Sequence, residues 1–331
     1  MNPPLMRALI VGCGNIAGRF DLGRSHDDYP LTHAGAYCRD ARFEIAACIE
    51  PDDSRRSEFM DAWGVAKGFQ SWSELAESQE IFDVISICSP TEAHEHDLDA
   101  ALRLKPKLIF CEKPVTASVS GSEVIVARCK SAGIPLAVNY SRRWDTDISR
   151  LATDIKEGRW GAIRSITGIY NKGLLNNGSH MLDLLNLLVG PLKVIGAGNP
   201  VNDYFSSDPT VPAWLEGNQG LSVFLACGQA ADYSLFEIQF IFSRGMLTME
   251  DGGMYWRERC VEDSDTFKGY RTLDAGVRHT GRYPQAMLQA VDNIYRSIKD
   301  GDMLASTGES ALVTQRLCER IRRLACDDRP E

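Results

Sequence analysis

Two short stretches of this 331-residue chain carry side chains that could do chemistry together. The first is LIFCEKPV at 108–115. An apolar run of Leu108, Ile109 and Phe110 ends abruptly in Cys111, Glu112, Lys113 and Pro114. A buried parallel strand looks like this where it leaves its sheet. Ligands of open α/β sheets bind beyond the carboxyl ends of the strands, so Glu112 and Lys113 would stand at the mouth of a cleft. A solvated ion pair before a turn proline fits the same eight residues. The second stretch is Gly12-Cys13-Gly14-Asn15-Ile16-Ala17-Gly18, a G-x-G-x-x-A pattern directly after the apolar run 8–11. Gly12 would permit a tight turn, Gly14 would let backbone approach a pyrophosphate, and Ala17 would let a helix pack on the strand. The N-terminus of that helix would offer free N–H groups and a positive dipole end to phosphates. A plain turn is the alternative, and the strand before the glycines favours a dinucleotide site over it.

A strand over 43–49 ends in Glu50-Pro51-Asp52. A carboxylate at that point accepts hydrogen bonds from ribose hydroxyls and repels a 2′-phosphate, which favours NAD over NADP. Arg55 and Arg56 follow closely and could hold a 2′-phosphate, so NADP stays open. Gly18 and Glu50 lie 32 positions apart, against the usual spacing of about 20. An extra polar loop over 19–32, before a helix around 33–38, accounts for the excess.

Further strand-like runs at 82–88, at the stretch into Lys113 and at 135–140 alternate with helical patterns at 73–78, 93–104 and 123–132. This alternation predicts a doubly wound parallel sheet over 1–140. After Tyr140 the texture changes. Helices are expected at 147–157 and 180–189, and strands at 163–170, 193–197, 220–227, 233–242 and 245–250. That is the pattern of a separate α+β domain over 141–331 with a mostly antiparallel sheet. Residues 199–218 read as a long irregular loop, and helices at 284–299 and 309–325 close the chain. His94 and His96 are two apart and would point to different faces of a helix, so no metal is expected there.

The composition is ordinary for a globular protein, 44% hydrophobic and 24% charged. Net charge is −9 and no dense basic run is present, which argues against a nucleic-acid partner. Apolar stretches fall far short of the roughly 20 residues of a membrane span, and with the first strand this near residue 1 no signal peptide is expected. Ten cysteines are scattered without a CxxC pair. They are expected to be reduced core residues of a cytoplasmic protein, not disulfides or a zinc site.

Taken together, GCGNIAG at 12–18, IEPD at 49–52, ICSPTEAH at 87–94, CEKP at 111–114, NNGSHMLDLL at 176–185 and the closing GESALVTQRLCERI resemble the Gfo/Idh/MocA family of sugar oxidoreductases. The resemblance covers nearly the whole chain. It implies an N-terminal Rossmann domain and a C-terminal α+β domain with an open, mostly antiparallel sheet, often used for oligomer contacts. It implies hydride transfer between a nicotinamide cofactor, NAD before NADP, and a hydroxyl or keto group of a sugar, cyclitol or sugar nucleotide. The cofactor contacts it implies are Gly12, Gly14, Asn15, Ile16, Glu50, Ser89, Pro90, His94, Glu112 and Lys113. Lys113 matches the family's E-K-P lysine, and His180 the histidine of its D-x-x-x-H motif, the acid/base candidate. The aspartate of that motif is Asn176 here, and asparagine takes no proton at neutral pH, so it can only orient substrate or histidine. Asp183 lies three residues after His180 on the same helical face. It is expected to orient or cap, or to touch substrate. Asn139, Arg142 and Trp144 could line the cleft. Lys172 could contact substrate or be solvated, and Arg278, His279, Arg282 and Tyr283 form a polar cluster or a surface loop. Two other readings use the same fold: a glycosidase or epimerase that retains NAD, and a non-catalytic NAD-binding regulator. A homo-oligomer, dimer or tetramer, and a small-molecule partner complete the expectation.

Overall fold

The computed structural model describes residues 4–327. The first unit is built on β1 (Met6–Val11), α1 (His33–Arg39), β2 (Phe43–Ile49), α2 (Asp53–Trp63), β3 (Gly68–Phe69), α3 (Trp72–Glu77), β4 (Val84–Ile87), α4 (His94–Arg103), β5 (Leu108–Cys111), α5 (Val119–Ala132) and β6 (Leu136–Val138). The strands form one six-stranded sheet in the order β3-β2-β1-β4-β5-β6, parallel throughout. β4 and β5 are buried at every position. That is why their sequences read as unbroken apolar runs and not as alternating ones. The order reverses between β1 and β4, so the carboxyl ends of these strands mark the switch point where such sheets bind ligands.

The loop at 19–32 is an excursion from a helix that would otherwise follow the glycine turn. Residues 14–18 make one helical turn, with the Gly18 amide donating to the Gly14 carbonyl at 3.2 Å. The chain leaves through a short 3-10 turn at Arg19–Asp21 and returns at α1. There the His33 and Ala34 amides donate to the carbonyls of Ile16 and Ala17 at 3.2 and 2.9 Å. Asp21 closes the neck: its carboxylate accepts from the Leu31 and Thr32 amides and from the Thr32 hydroxyl. Thr32 in turn caps α1 through the Gly35 amide. The first amides of α1 are thus taken up by the carbonyls of the 14–18 turn and by the Thr32 cap, and the turn at 14–18 is the helical segment that follows the glycines.

The second unit holds α6 (Thr146–Lys156), β7 (Ile163–Tyr170), α7 (Ser179–Val189), β8 (Lys193–Ala197), β9 (Val201–Phe205), β10 (Asp208–Thr210), β11 (Ala213–Glu216), β12 (Ser222–Cys227), β13 (Phe236–Phe242), β14 (Gly245–Glu250), β15 (Tyr255–Asp263), β16 (Arg271–Leu273) and β17 (Val277–Thr280). Nine strands form an open sheet in the order β16-β15-β14-β13-β7-β12-β11-β8, with β17 on β15, and β9 and β10 form a separate ribbon. Only β7 and β12 pair in parallel; the rest of the sheet is antiparallel. β13 and β14 alternate buried and half-buried positions, the mark of a sheet packed on one face. The buried face meets Ile148 and Leu151 of α6 and Met181, Leu182 and Leu185 of α7.

Three expectations are corrected here. Residues 199–218 are not an irregular loop: they contain β9, β10 and β11. Arg278 and His279 lie on strand β17 and not in a loop. A single cut after residue 140 is replaced by a discontinuous division. The first unit runs to Trp144 and regains Pro284–Leu312, and the second takes Asp145–Tyr283 and the chain from Val313. The physical reason is α8 (Ala286–Asp300), whose Met287, Ala290, Val291 and Ile294 bury in one cluster with Ala8, Ile10, Tyr37 and Trp144. The closing helix α9 (Gly308–Asp327) is divided by the boundary.

All ten cysteines are free thiols. Six of them are buried, Cys48 and Cys88 included, while Cys38, Cys260 and Cys326 are exposed, which corrects the expectation of a core role for those three. The neighbouring Cys48 thiol and burial hold the Cys13 thiol well above the ordinary range. No helix among the described residues is long and apolar enough to cross a membrane.

Candidate active site

The glycine turn has the geometry a dinucleotide needs. Gly12 takes φ +83°, and a Cβ there would sit 2.6 Å from the Ser89 amide nitrogen, so the position excludes side chains on two counts. A Cβ on Gly14 would meet nothing within 4 Å, which leaves open space over the turn. Gly18 is different again: a Cβ would strike Trp63 and Phe59 of α2, so this glycine serves packing. Asn15 is exposed and Ile16 half-buried.

Glu50 sits at the end of β2 and is 5% exposed. Its carboxylate accepts the Cys13 amide at 2.9 Å and the Asp52 amide at 3.1 Å. It therefore ties the glycine turn to its own strand end, and each oxygen keeps a lone pair for a ribose hydroxyl. Arg55 approaches Glu50 at 3.6 Å and stays 45% exposed. Arg56 donates to the Glu50 carbonyl at 2.5 Å.

Two other positions expected to touch cofactor are turned into the wall. The Ser89 hydroxyl donates to Asp97 at 2.6 Å. His94 is 1% exposed, and its two ring nitrogens face the carbonyls of Ser89 and Pro114 at 2.9 and 2.8 Å. This corrects the expectation for His94. Its ring joins the loops after β4 and β5 instead of presenting itself to a ligand. Pro90 is exposed.

The strand end at 111–114 is held by side chains from three elements. Glu112 accepts from the Asn139 side-chain amide at 2.6 Å, and His33 Nε2 lies 3.0 Å from the same oxygen. His33 is wholly buried and packs its ring 4.3 Å from that of Phe110. Burial pushes the Glu112 carboxyl up. The bonds to His33 and Asn139 and the charge of Lys113 outweigh that and hold it below its ordinary value. His33 Nδ1 and Asn139 Oδ1 are buried without a partner. Such orphaned atoms are uncommon in native interiors. Sequence reasoning missed His33: it reaches Glu112 across 79 positions, and no local signal points to it.

Because the native carboxyl is held low, its ionised form adds stability above the unfolded value of about 4.3. That contribution is lost as pH falls through the lower native value. Glu112→Gln is expected to destabilise by about 1–3 kcal/mol at pH 7, and the difference from the parent should shrink towards pH 3. Thermal melts of both proteins across that range test this; a constant difference would refute it.

Lys113 directly follows this carboxylate and is half-buried, and its bond to Pro114 is cis. Arg142 and Trp144, expected in the cleft, are 9% and 4% exposed. Trp144 donates to Asn293 at 2.9 Å and packs edge-on against Phe110, so it is a core residue of the first unit.

In the second unit, Asn176 and His180 come from one continuous stretch. A π-helical turn, Leu174–Gly178, runs into α7, and His180 is the second residue of that helix. The Asn176 side chain donates to the Lys172 carbonyl at 3.0 Å, and its backbone amide donates to Asp208 at 2.8 Å. Asp183 is 1% exposed and accepts the Thr314 hydroxyl at 3.1 Å. That bond ties α7 to α9. Lys172 is half-buried and holds φ +64°, a conformation non-glycine residues rarely take. Among the described residues no group of three His, Cys, Asp or Glu side chains could hold a metal ion.

This turn, strand order and open space above Gly14 define a dinucleotide-binding domain. Residues 6–140 match the family described as "Oxidoreductase family, NAD-binding Rossmann fold". It is 22% identical to a D-apiose dehydrogenase of Paraburkholderia graminis over 57% of this chain and 54% of that protein. The chain thus spans about half the length of that relative. Over nearly full length, two solved structures share the fold. An oxidoreductase from Agrobacterium radiobacter, in complex with NAD+, L-tartaric acid and magnesium, matches with TM-score 0.77 and 18% identity, covering 98% of this chain and 97% of that one. A 3-ketoreductase from Actinomadura kijaniata, in complex with NADP, matches with TM-score 0.77 and 19% identity, covering 97% of each chain.

Proposed function

We propose that the protein is an oxidoreductase that moves a hydride between a nicotinamide cofactor and a CH–OH or keto group of a sugar, cyclitol or sugar nucleotide. The observation that carries this reading is Lys113 at the carboxyl end of β5, next to a carboxylate fixed by His33 and Asn139, in the same sheet as the glycine turn. Bound at that turn, the nicotinamide would supply the hydride acceptor. Gly12, Gly14, Asn15 and Ile16 would hold the pyrophosphate and Glu50 the ribose. Lys113 would stabilise the alkoxide as the hydroxyl loses its proton. His180 would take that proton on its ring, since imidazole titrates near neutrality. Asn176 would orient without titrating.

Glu50 supports NAD over NADP, because its carboxylate would repel a 2′-phosphate. A cytoplasmic, homo-oligomeric enzyme belongs to the same reading. Trp214 and Phe224, stacked 6.3 Å apart on the open face of the sheet and 47% and 44% exposed, support assembly; a monomeric mass in sedimentation would count against it.

The test is direct. Purified protein is titrated with NAD and with NADP, then incubated with the preferred cofactor and a panel of sugars and cyclitols while absorbance of the reduced cofactor is followed. Growth of that absorbance with at least one substrate, and tighter binding of NAD, are expected. Silence across the panel, or a clear preference for NADP, would overturn the corresponding half of the proposal.

A further inference from the structure

The ribbon of β9 and β10 is tied to the stretch that carries Lys172 and Asn176. Asp203 on β9 accepts the Lys172 amide, the Thr210 hydroxyl at 3.0 Å and the Ala230 amide at 2.5 Å. Asp208 on β10 accepts the Leu175 and Asn176 amides, each at 2.8 Å. Thr210 also receives the Gly173 amide at 2.8 Å. The buried Asn171 reaches the next loop, donating to the Tyr233 carbonyl at 2.6 Å. Five side-chain ties therefore fix one short segment, and Lys172 within it is kept at positive φ. Strain of that kind survives only where its surroundings over-determine it, and it concentrates at ligand-binding segments.

What this framework presents outward is aromatic. Tyr204 is 61%, Phe205 42% and Tyr233 66% exposed. Tyr204 and Phe205 meet edge to face at 4.6 Å, and the Lys172 ammonium lies 5.7 Å from the Tyr204 ring centre. Two rigid rings and a lysine, anchored on the amides of the Asn176 stretch, make a platform and not a loose loop tip.

We propose that this platform is a second sugar subsite, which binds a neutral glycosyl residue attached to the sugar that reacts. The assignment rests on the sugar oxidoreductase reading above and narrows its substrate class to glycosides and short oligosaccharides. Charge decides between a neutral glycosyl group and a nucleotide. Against the one ammonium of Lys172 the ribbon brings two carboxylates to this locus, Asp203 and Asp208, bonded to the backbone amides of Lys172 and Asn176. The locus carries no net positive charge with which to take up a diphosphate, whose recognition relies on charge-assisted donors. A pyranose ring suits it better. One face of the ring is C–H and slightly positive and packs on the negative face of an aromatic ring, while its hydroxyls reach the Lys172 ammonium.

The experiment uses the NAD-loaded protein and three classes of probe: glucose and galactose; maltose, cellobiose and lactose; and UDP-glucose. Binding is followed by calorimetry and turnover by reduced-cofactor absorbance, for the parent, Tyr204→Ala and Tyr204→Phe. At least one disaccharide is expected to bind more tightly than its component sugars. Tyr204→Ala should weaken that binding roughly three- to tenfold, and Tyr204→Phe should restore it, because the ring and not the hydroxyl makes the stack. NAD affinity and thermal midpoint should stay at parental values in both variants, as expected for a side chain mostly in solvent. The subsite is overturned if no disaccharide binds better than a monosaccharide, if Tyr204→Ala leaves disaccharide affinity unchanged, if the loss falls on UDP-glucose alone, or if Tyr204→Ala changes only the oligomeric mass. The two readings fail separately. Turnover of monosaccharides with no disaccharide preference leaves the oxidoreductase and removes the subsite. Tyr204-dependent disaccharide binding without any cofactor reduction leaves the subsite and removes the oxidoreductase.

Discussion

Replacing Lys113 by methionine is expected to lower kcat by about 10²–10⁴ while NAD affinity changes little. The ammonium is the group proposed to meet the alkoxide, and methionine keeps the length of the chain without the charge. Glu112 stays ionised through His33 and Asn139 in either case, so the strand end keeps its shape and the thermal midpoint should move little. His180→Ala is expected to lower kcat by a similar factor around neutral pH, where solvent supplies no competent base. Steady-state kinetics paired with an NAD titration measure both effects. Full activity in Lys113→Met would remove the catalytic assignment at once. Equal loss of NAD affinity and turnover would turn the lysine into a cofactor anchor.

Gly12→Ala should be the most damaging single methyl group in the first unit. The residue sits at φ +83°, where a side chain costs about 1–2 kcal/mol. Its Cβ would also fall 2.6 and 2.7 Å from the backbone of Ser89. Backbone cannot swing aside as a side chain can, and overpacking of that kind costs about 1–3 kcal/mol more. The sum is about 2–5 kcal/mol, a drop of roughly 5–20 °C in thermal midpoint for a unit of this size. Gly14→Ala is the informative partner. Its Cβ enters open space, so the fold should melt as the parent does. The same methyl would stand where the pyrophosphate is expected, and NAD affinity should fall at least tenfold. Calorimetric melts and NAD titrations of the two variants separate these roles. A parental melt for Gly12→Ala, or parental NAD binding for Gly14→Ala, would each undo one half of the argument.

Much of the proposed site is legible in the chain because its signals are local. A glycine turn after a strand, a strand that ends in E-K-P, and an acidic residue closing the second strand each need only a few neighbouring residues to be recognised. Strands buried on both faces, such as β4 and β5, announce themselves as apolar runs. The strands β9 and β10 did not, because their ribbon is polar, half-exposed and rich in turn residues. β15 and β17 carry arginines, and their ladder is fixed by pairing partners instead of an apolar rhythm.

Residue order alone dictates the doubly wound sheet and the glycine turn, and it supplies Lys113, Asn176 and His180 as the residues of the proposed site. Each is written in short-range spacing and in the match of one strand period or one helix turn to its residues. Only the tertiary structure decided what those residues lean on. It brought His33 across 79 positions to Glu112 and turned His94 and Trp144 from expected ligand contacts into wall and core. It also returned Pro284–Leu312 to the first unit and set Tyr204 beside Lys172. The reason is common to all of them. Burial and hydrogen-bond satisfaction are properties of groups that meet in space, and no local pattern records which distant partner will supply the missing donor, acceptor or apolar surface.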